Sequence, residues 1–159
     1  MARQFFDTTV MIPSVWQAQT ERARVFNPAI LSIAGQWVFA YRVVFTPDDH
    51  RIAICRLDSQ LRVQPGSVCA LSDVIVDAGT LLQDPRLIEH QGRLWLYYDH
   101  YRPGQPNRMV LVELDLATLQ PKGAVRPLLL TGSCQRTEKS WLLFVHADEL
   151  YAVYRMVPH

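Results

Sequence analysis

The sequence predicts an all-β fold: a partial β-propeller of about two and a half four-stranded antiparallel blades. Three observations predict it. Apolar and polar residues alternate in short runs rich in β-branched and aromatic residues, which marks strands. Gly, Pro, Asp and Asn punctuate those runs, as turns require. Finally, one unit is written twice without a gap and begun a third time. "NPAILSIAGQWVFAYR" (27–42) lies over "DPRLIEHQGRLWLYYD" (84–99) at a constant offset of 57 residues.

The offset holds well beyond that stretch. Pro28 meets Pro85, Gly35 meets Gly92 and Tyr41 meets Tyr98. Further on, Arg51 meets Arg108, Leu57-Asp58 meets Leu114-Asp115, and Gly66 meets Gly123. A gap-free run of this length argues against a single β-sandwich with accidental self-similarity. In the first copy "PAILSI" turns at a glycine into "WVFAYRVVF", the loop "TPDDH" leads to "RIAICRLD", and a fourth strand is expected near "LRVQPGSVC". In the second, "RLIEH", "RLWLYYDHY" and "RMVLVELD" repeat the plan. The third copy is looser: "EKSWLLFVHADELYAVYR" (138–155), with Tyr154 in the place of Tyr98. This gives one domain over 1–159, with blades at 26–73 and 84–132 and the start of a third at 138–159.

The first 25 residues are open between a strand added to a neighbouring blade and a short helix at "SVWQAQTERARVF". Propellers close with about four to eight blades. The chain therefore reads as the N-terminal part of a longer fold, or as a partial ring completed by another chain, a homo-oligomer. Open blade faces and strand edges predict association.

Composition narrows the function classes. With 159 residues and a formal net charge of +1 spread along the chain, neither nucleic acid nor an acidic membrane surface is an expected partner. The N-terminus has no apolar signal region, and no run reaches membrane-spanning length. Cys55, Cys69 and Cys134 are widely spaced and odd in number, which fits free thiols in a reducing compartment, so a cytoplasmic location is expected.

The candidate site lies at the strand entrances. In a propeller the first strand of each blade is nearest the axis, so Asn27, Asp84 and Glu138 should converge at one mouth. Proline after Asn27 and Asp84 should hold the preceding residue extended and aim its side chain. Convergent carboxylates beside cations suit acid/base chemistry on a glycosidic bond. The competing view is that Asn-Pro and Asp-Pro merely start strands through Asx-turns. Trp141, and less so Trp95, could stack on a sugar, although tryptophans in strands commonly serve the core. His146 lies near the turn of the third hairpin and His159 is the last residue. With His90 and His100 they show no metal-ligand spacing, so no metal is expected. The recurring Tyr41, Tyr98 and Tyr154 suggest a structural role.

"NPAIL…FAYR", "DPRLIEHQGRLWLYY" and "EKSWLLFVHADELYAVYRMVPH" resemble the five-bladed β-propeller glycoside hydrolases that include families 43 and 62, and most closely family 130, the mannoside phosphorylases and mannosidases. Family 43 has a base Asp at the first entrance. Asn27 cannot be a base, and family 130, with Asn-Pro there and Asp-Pro-Arg at the second, is more similar. The resemblance implies Asp84 as general acid toward the glycosidic oxygen, with Glu138 as the second candidate catalytic carboxyl. It implies Lys139 as a contact to phosphate or substrate, and Arg42 and Arg86 as oxyanion contacts. Trp141 and His146 complete the candidate substrate-binding set. The implied ligand is an oligosaccharide or other glycoside, with inorganic phosphate as co-substrate and no other cofactor. The second function class is a non-catalytic half-propeller that binds glycan or protein.

Overall fold

In the computed structural model, residues 7–75, 81–129, 131 and 135–154 are described. Cys134, His159 and the end of the third copy (155–159) lie outside them.

The repeat folds as repeated sheet. β1 (Arg24–Ile33), β2 (Gln36–Thr46) and β3 (Asp49–Leu57) form one antiparallel meander. β4 (Leu81–His90), β5 (Arg93–Tyr101) and β6 (Arg108–Leu114) form the second. β8 (Leu142–His146) and β9 (Glu149–Val153) form the third hairpin. Among the described residues, backbone pairing links the meanders at one parallel pair, His50 with Leu81. The same link recurs between the second and third units, Asn107 with Thr137. β1 packs on β4 and β4 on β8, so the first strands of successive units are neighbours, as in a propeller.

The fourth strand is a fragment rather than a full strand. In the first unit only Val63 and Cys69 bridge β3, at Leu57 and Ile54. In the second, β7 (Arg126–Pro127) pairs with β6, and Pro121 bridges Leu114. Leu111 with Arg126 repeats Ile54 with Cys69 at the offset of the sequence repeat. Pro65 and Gly66 in one unit, and Pro121, Gly123 and Pro127 in the other, explain the breaks: proline lacks the N–H that a ladder needs.

Alternation gives each meander two apolar faces. Val38, Ala40, Ile52 and Ile54 pack against Leu96, Tyr98, Val110 and Val112 of the second unit in the main core. The second unit's other face, with Ile88, Tyr97, Met109 and Leu111, is covered by Trp141 and Leu143 of the third. The other face of the first unit is not bare. Residues Thr8–Met11 and Ser14–Arg22 form 3-10 turns, neither a strand nor an α-helix, and cap it. Met11, Ile12 and Trp16 are buried against Phe39, Tyr41, Val43 and Phe45. Tyr41 Oη donates to the Met11 carbonyl at 2.6 Å, and Trp16 Nε1 donates to Asp73 at 2.9 Å.

Candidate active site

The first two entrances are β-bulges. Phe26 pairs with Arg42 and Ala29 with Ala40, so Asn27 and Pro28 together oppose Tyr41. Gln83 pairs with Asp99 and Arg86 with Tyr97, so Asp84 and Pro85 oppose Tyr98. Asn27 and Asp84 are left-handed, at φ 48° and 49°, and not extended. Asn and Asp tolerate this region better than other residues with a Cβ. In the third unit the residue with this backbone is Ser140, at φ 60°, and it precedes tryptophan. The left-handed conformation therefore does not require a following proline.

That observation corrects the third entrance. The register that puts Tyr154 over Tyr98 puts Ser140 over Asp84, and Glu138 over the buried Leu82. Glu138 is 2% exposed, and its Oε1 accepts from the Gln135 N–H and from Tyr154 Oη. It fastens the third unit from within and does not line the mouth. Trp141 is buried in the core between the second and third units, with its ring edge-on to Tyr154 at 5.2 Å, so it is not a sugar platform. Trp95 packs against the same cluster. His146 lies exposed at the turn end of β8, six residues from Ser140. At about 3.3 Å per residue that is roughly 20 Å of strand, too far for a shared site.

Two of the other residues do meet. Arg42 of the first unit reaches Asp84 of the second, Nη1 to Oδ1 3.2 Å, with both side chains part-buried. The guanidinium also lies over the Phe26 ring, 5.6 Å from its centroid. The contact is ionic without an aligned hydrogen bond: Arg42 Nε and Asp84 Oδ1 are buried and have no hydrogen-bond partner among the described residues. One unit on, the arrangement repeats with different chemistry. Asp99 stands where Arg42 stands in the first unit, and it accepts from the backbone N–H of Ser140. So the residue that follows the tyrosine opposite each bulge, on the second strand, reaches the left-handed residue of the next unit.

Sequence reasoning missed Asp99, although the offset that aligns it with Arg42 could have found it. The side chain is buried, and Oδ1 has no hydrogen-bond partner among the described residues. Burial first, and then the nearby charge of Asp84, raise its pKa to about 7, against the opposing pull of Ser140 N–H, Lys139 and Arg86. His50 was missed too. It hydrogen-bonds Gln83 at 3.0 Å, Nδ1 to Nε2, so the ring accepts there and is neutral. Burial and then Arg42 lower its pKa. Lys139 and Arg86 are exposed at the rim. Lys139 joins Gln83, Tyr101, Asn107 and Arg136 around a polar cleft of about 350 Å³. Asn27 is exposed on the first unit, whose Arg42 pairs with its neighbour Phe26. The arrangement thus offers two carboxyls of unlike environment, one part-buried beside an arginine and one buried with its pKa raised to about 7, with cations at the rim.

Comparison with known proteins shows the fold. No protein-family model and no curated protein sequence matches the chain. Among solved structures, the chain is similar to an α-L-arabinofuranosidase from Lactobacillus brevis, at 15% identity and TM-score 0.53 over 69% of this chain and 38% of that one. It is also similar to a family 32 β-fructofuranosidase from Bombyx mori, solved in complex with sucrose, at 16% identity and TM-score 0.53 over 85% of this chain and 31% of that one. Both are five-bladed β-propeller glycoside hydrolases. The chain spans about a third of their length, and its fold is that of a partial β-propeller.

Proposed function

We propose that this chain is part of a carbohydrate-active enzyme that acts on a glycosidic bond, with Asp84 as general acid and a mannoside-type glycoside as substrate. The observation that carries the reading is Asp84 itself. A bulge turns it into the junction between two units, where Oδ1 meets Arg42 but no aligned hydrogen-bond donor among the described residues. Asp99, whose carboxyl pKa burial pushes up to about 7, lies near it as a second carboxyl. Phosphate is the co-substrate in this reading. A phosphate oxygen would compete with Asp84 for the Arg42 guanidinium, since guanidinium binds phosphate in a bidentate fork. With Arg42 so engaged, a phosphate oxygen would bond to the anomeric carbon as the glycosidic C–O bond breaks, and the leaving oxygen would take the carboxyl proton of Asp84, while Lys139 and Arg86 at the rim would steer the anion. The polar cleft beside Gln83 and Lys139 would take the sugar. Support for this class also comes from the glycoside hydrolases that share the fold, though a fold does not fix a reaction.

A second reading, a non-catalytic glycan- or protein-binding module, is favoured by one observation: the candidate acid Asp84 is engaged by Arg42 across the junction of two units, as a structural ion pair would be. Turnover of mannosides, with and without inorganic phosphate, separates the two. Asp84→Asn should lower turnover by about 10²–10⁴, the usual worth of general acid catalysis, and leave the melt unchanged. Wild-type turnover in that variant would remove Asp84 from the mechanism. Saturable sugar binding without any turnover would favour the module.

A further inference from the structure

The two junctions between units differ at one equivalent position. At the first, the parallel pair His50–Leu81 is followed by a side-chain contact, Gln83 Nε2 to His50 Nδ1 at 3.0 Å, which bridges the gap between the strands. At the second, the parallel pair is Asn107–Thr137. The offset of 57 puts Asn107 over His50, and the register that puts Ser140 over Asp84 puts Lys139 over Gln83. This second couple leaves the gap open. Asn107 is 8% exposed, and its Oδ1 has no hydrogen-bond partner among the described residues. The polar cleft of about 350 Å³ lies here. Both of its walls belong to the chain: the start of β4 and the loop after β5 on one side, and residues 136–139 on the other.

The cleft is one-sided in charge. Arg136 and Lys139 line it, both exposed, and among the described residues no carboxylate does. Tyr101 lines it as well, 37% exposed, where the first unit has the smaller Val44. An exposed aromatic ring offers a flat surface to the apolar face of a pyranose, the role that the buried Trp141 cannot fill. A guanidinium presents two parallel N–H groups to a planar carboxylate. The Asn107 carbonyl oxygen needs a donor, which a sugar hydroxyl supplies.

We propose that this cleft binds an acidic sugar, a hexuronate residue of a glycan, with its ring on Tyr101, its carboxylate held by Arg136 and Lys139, and a hydroxyl presented to the Asn107 amide. The inference rests on the reading that the cleft takes the sugar, and it adds the charge that the sugar carries.

The test is titration calorimetry of the intact chain at fixed ionic strength with three probes: an oligomannuronate, the neutral mannose oligosaccharide of the same length, and inorganic phosphate. The oligomannuronate should bind about tenfold tighter than its neutral counterpart. Arg136→Gln, at an exposed site, should bring the two affinities within about twofold and leave that of the neutral sugar as it was. Tyr101→Ala should weaken both sugars. Selective, Arg136-dependent uronate binding without turnover would uphold the proposal while the catalytic reading falls. Equal affinity for the two sugars, lost together in Tyr101→Ala, would overturn it and leave the cleft as a site for neutral sugar. A preference for uronate that survives both Arg136→Gln and Lys139→Gln would place the carboxylate elsewhere and overturn it. Phosphate binding as tight as the uronate, indifferent to Tyr101→Ala, would make the cleft a plain anion site. Binding of neither sugar would remove the proposal together with the reading on which it rests.

Discussion

Tyr41 and Tyr98 hold the same position opposite the bulge, and both are fully buried. They differ in hydrogen bonding. Tyr41 Oη donates to the Met11 carbonyl, whereas Tyr98 Oη has no partner among the described residues. Removing both hydroxyls should therefore give different results. Tyr41→Phe should cost about 1–3 kcal/mol in a urea melt, because the buried carbonyl loses its donor. Tyr98→Phe should be neutral or slightly stabilising, since the hydroxyl is desolvated without return. Equal losses would mean that the aligned tyrosines share a role the two geometries do not show. Asp99 gives a second prediction, in pH. Its folded pKa, about 7, is above the ordinary 3.8, so the folded state keeps a proton that the unfolded state releases. Its contribution to stability is then greatest below pH 4, falls by about 1.4 kcal/mol per pH unit as pH rises toward 7, and is flat above. Asp99→Asn should remove this fall, so the variant gains on the wild type between pH 4 and 7. Parallel curves in that window would place the titration elsewhere.

At the scale of the element, the bulge is what makes the first two entrances. A left-handed residue followed by an extended strand turns one side chain out of the sheet's alternation and into the gap between units. Asn27 isolates the backbone part of this device, because it is exposed and pairs with no acid. Asn27→Gly should be neutral or stabilising, and Asn27→Val should cost about 1–2 kcal/mol, the penalty for a left-handed residue with a Cβ. Two indistinguishable melts would show that the bulge is not enforced. This element also marks how far the sequence could be read. The offset of 57 gave the strands, the Gly turns, the unit count and the pairing of Asn27 with Asp84. It could not give the bulge, because a β-bulge is a count of two residues against one on a partner strand, visible only when both are paired. For the same reason Glu138 was placed by its charge instead of by register, two residues away from Ser140. Asp99 and His50 escaped notice because their importance lies in contacts between units, which no single copy displays. The fourth strand was overread, since prolines that fit a blade's turns also prevent a ladder.

For the whole molecule, the cores predict which parts unfold together. The main core draws residues from the first and second units alike, from Ile33 to Leu119, so neither unit can lose its packing alone. The third unit is different. β8 and β9 pair only with each other among the described residues, and they are held to the second unit by a smaller cluster through Trp141, Leu143 and Leu150. A two-stranded hairpin is marginal by itself in water, and here one of its faces is solvated. Local opening should therefore precede global unfolding. In native-state hydrogen exchange, the amides of β8 and β9 should exchange orders of magnitude faster than those of Ala40, Ile54, Leu96 and Val112, which should share one slow rate. Leu143→Ala should speed exchange in the hairpin alone and leave the slow group unchanged, because Leu143 belongs to the smaller cluster and not to the main core. Hairpin amides as slow as the central ones would mean that the third unit is folded into the same cooperative block. In that case Glu138, buried and bonded to both Gln135 and Tyr154, would be the contact that joins it.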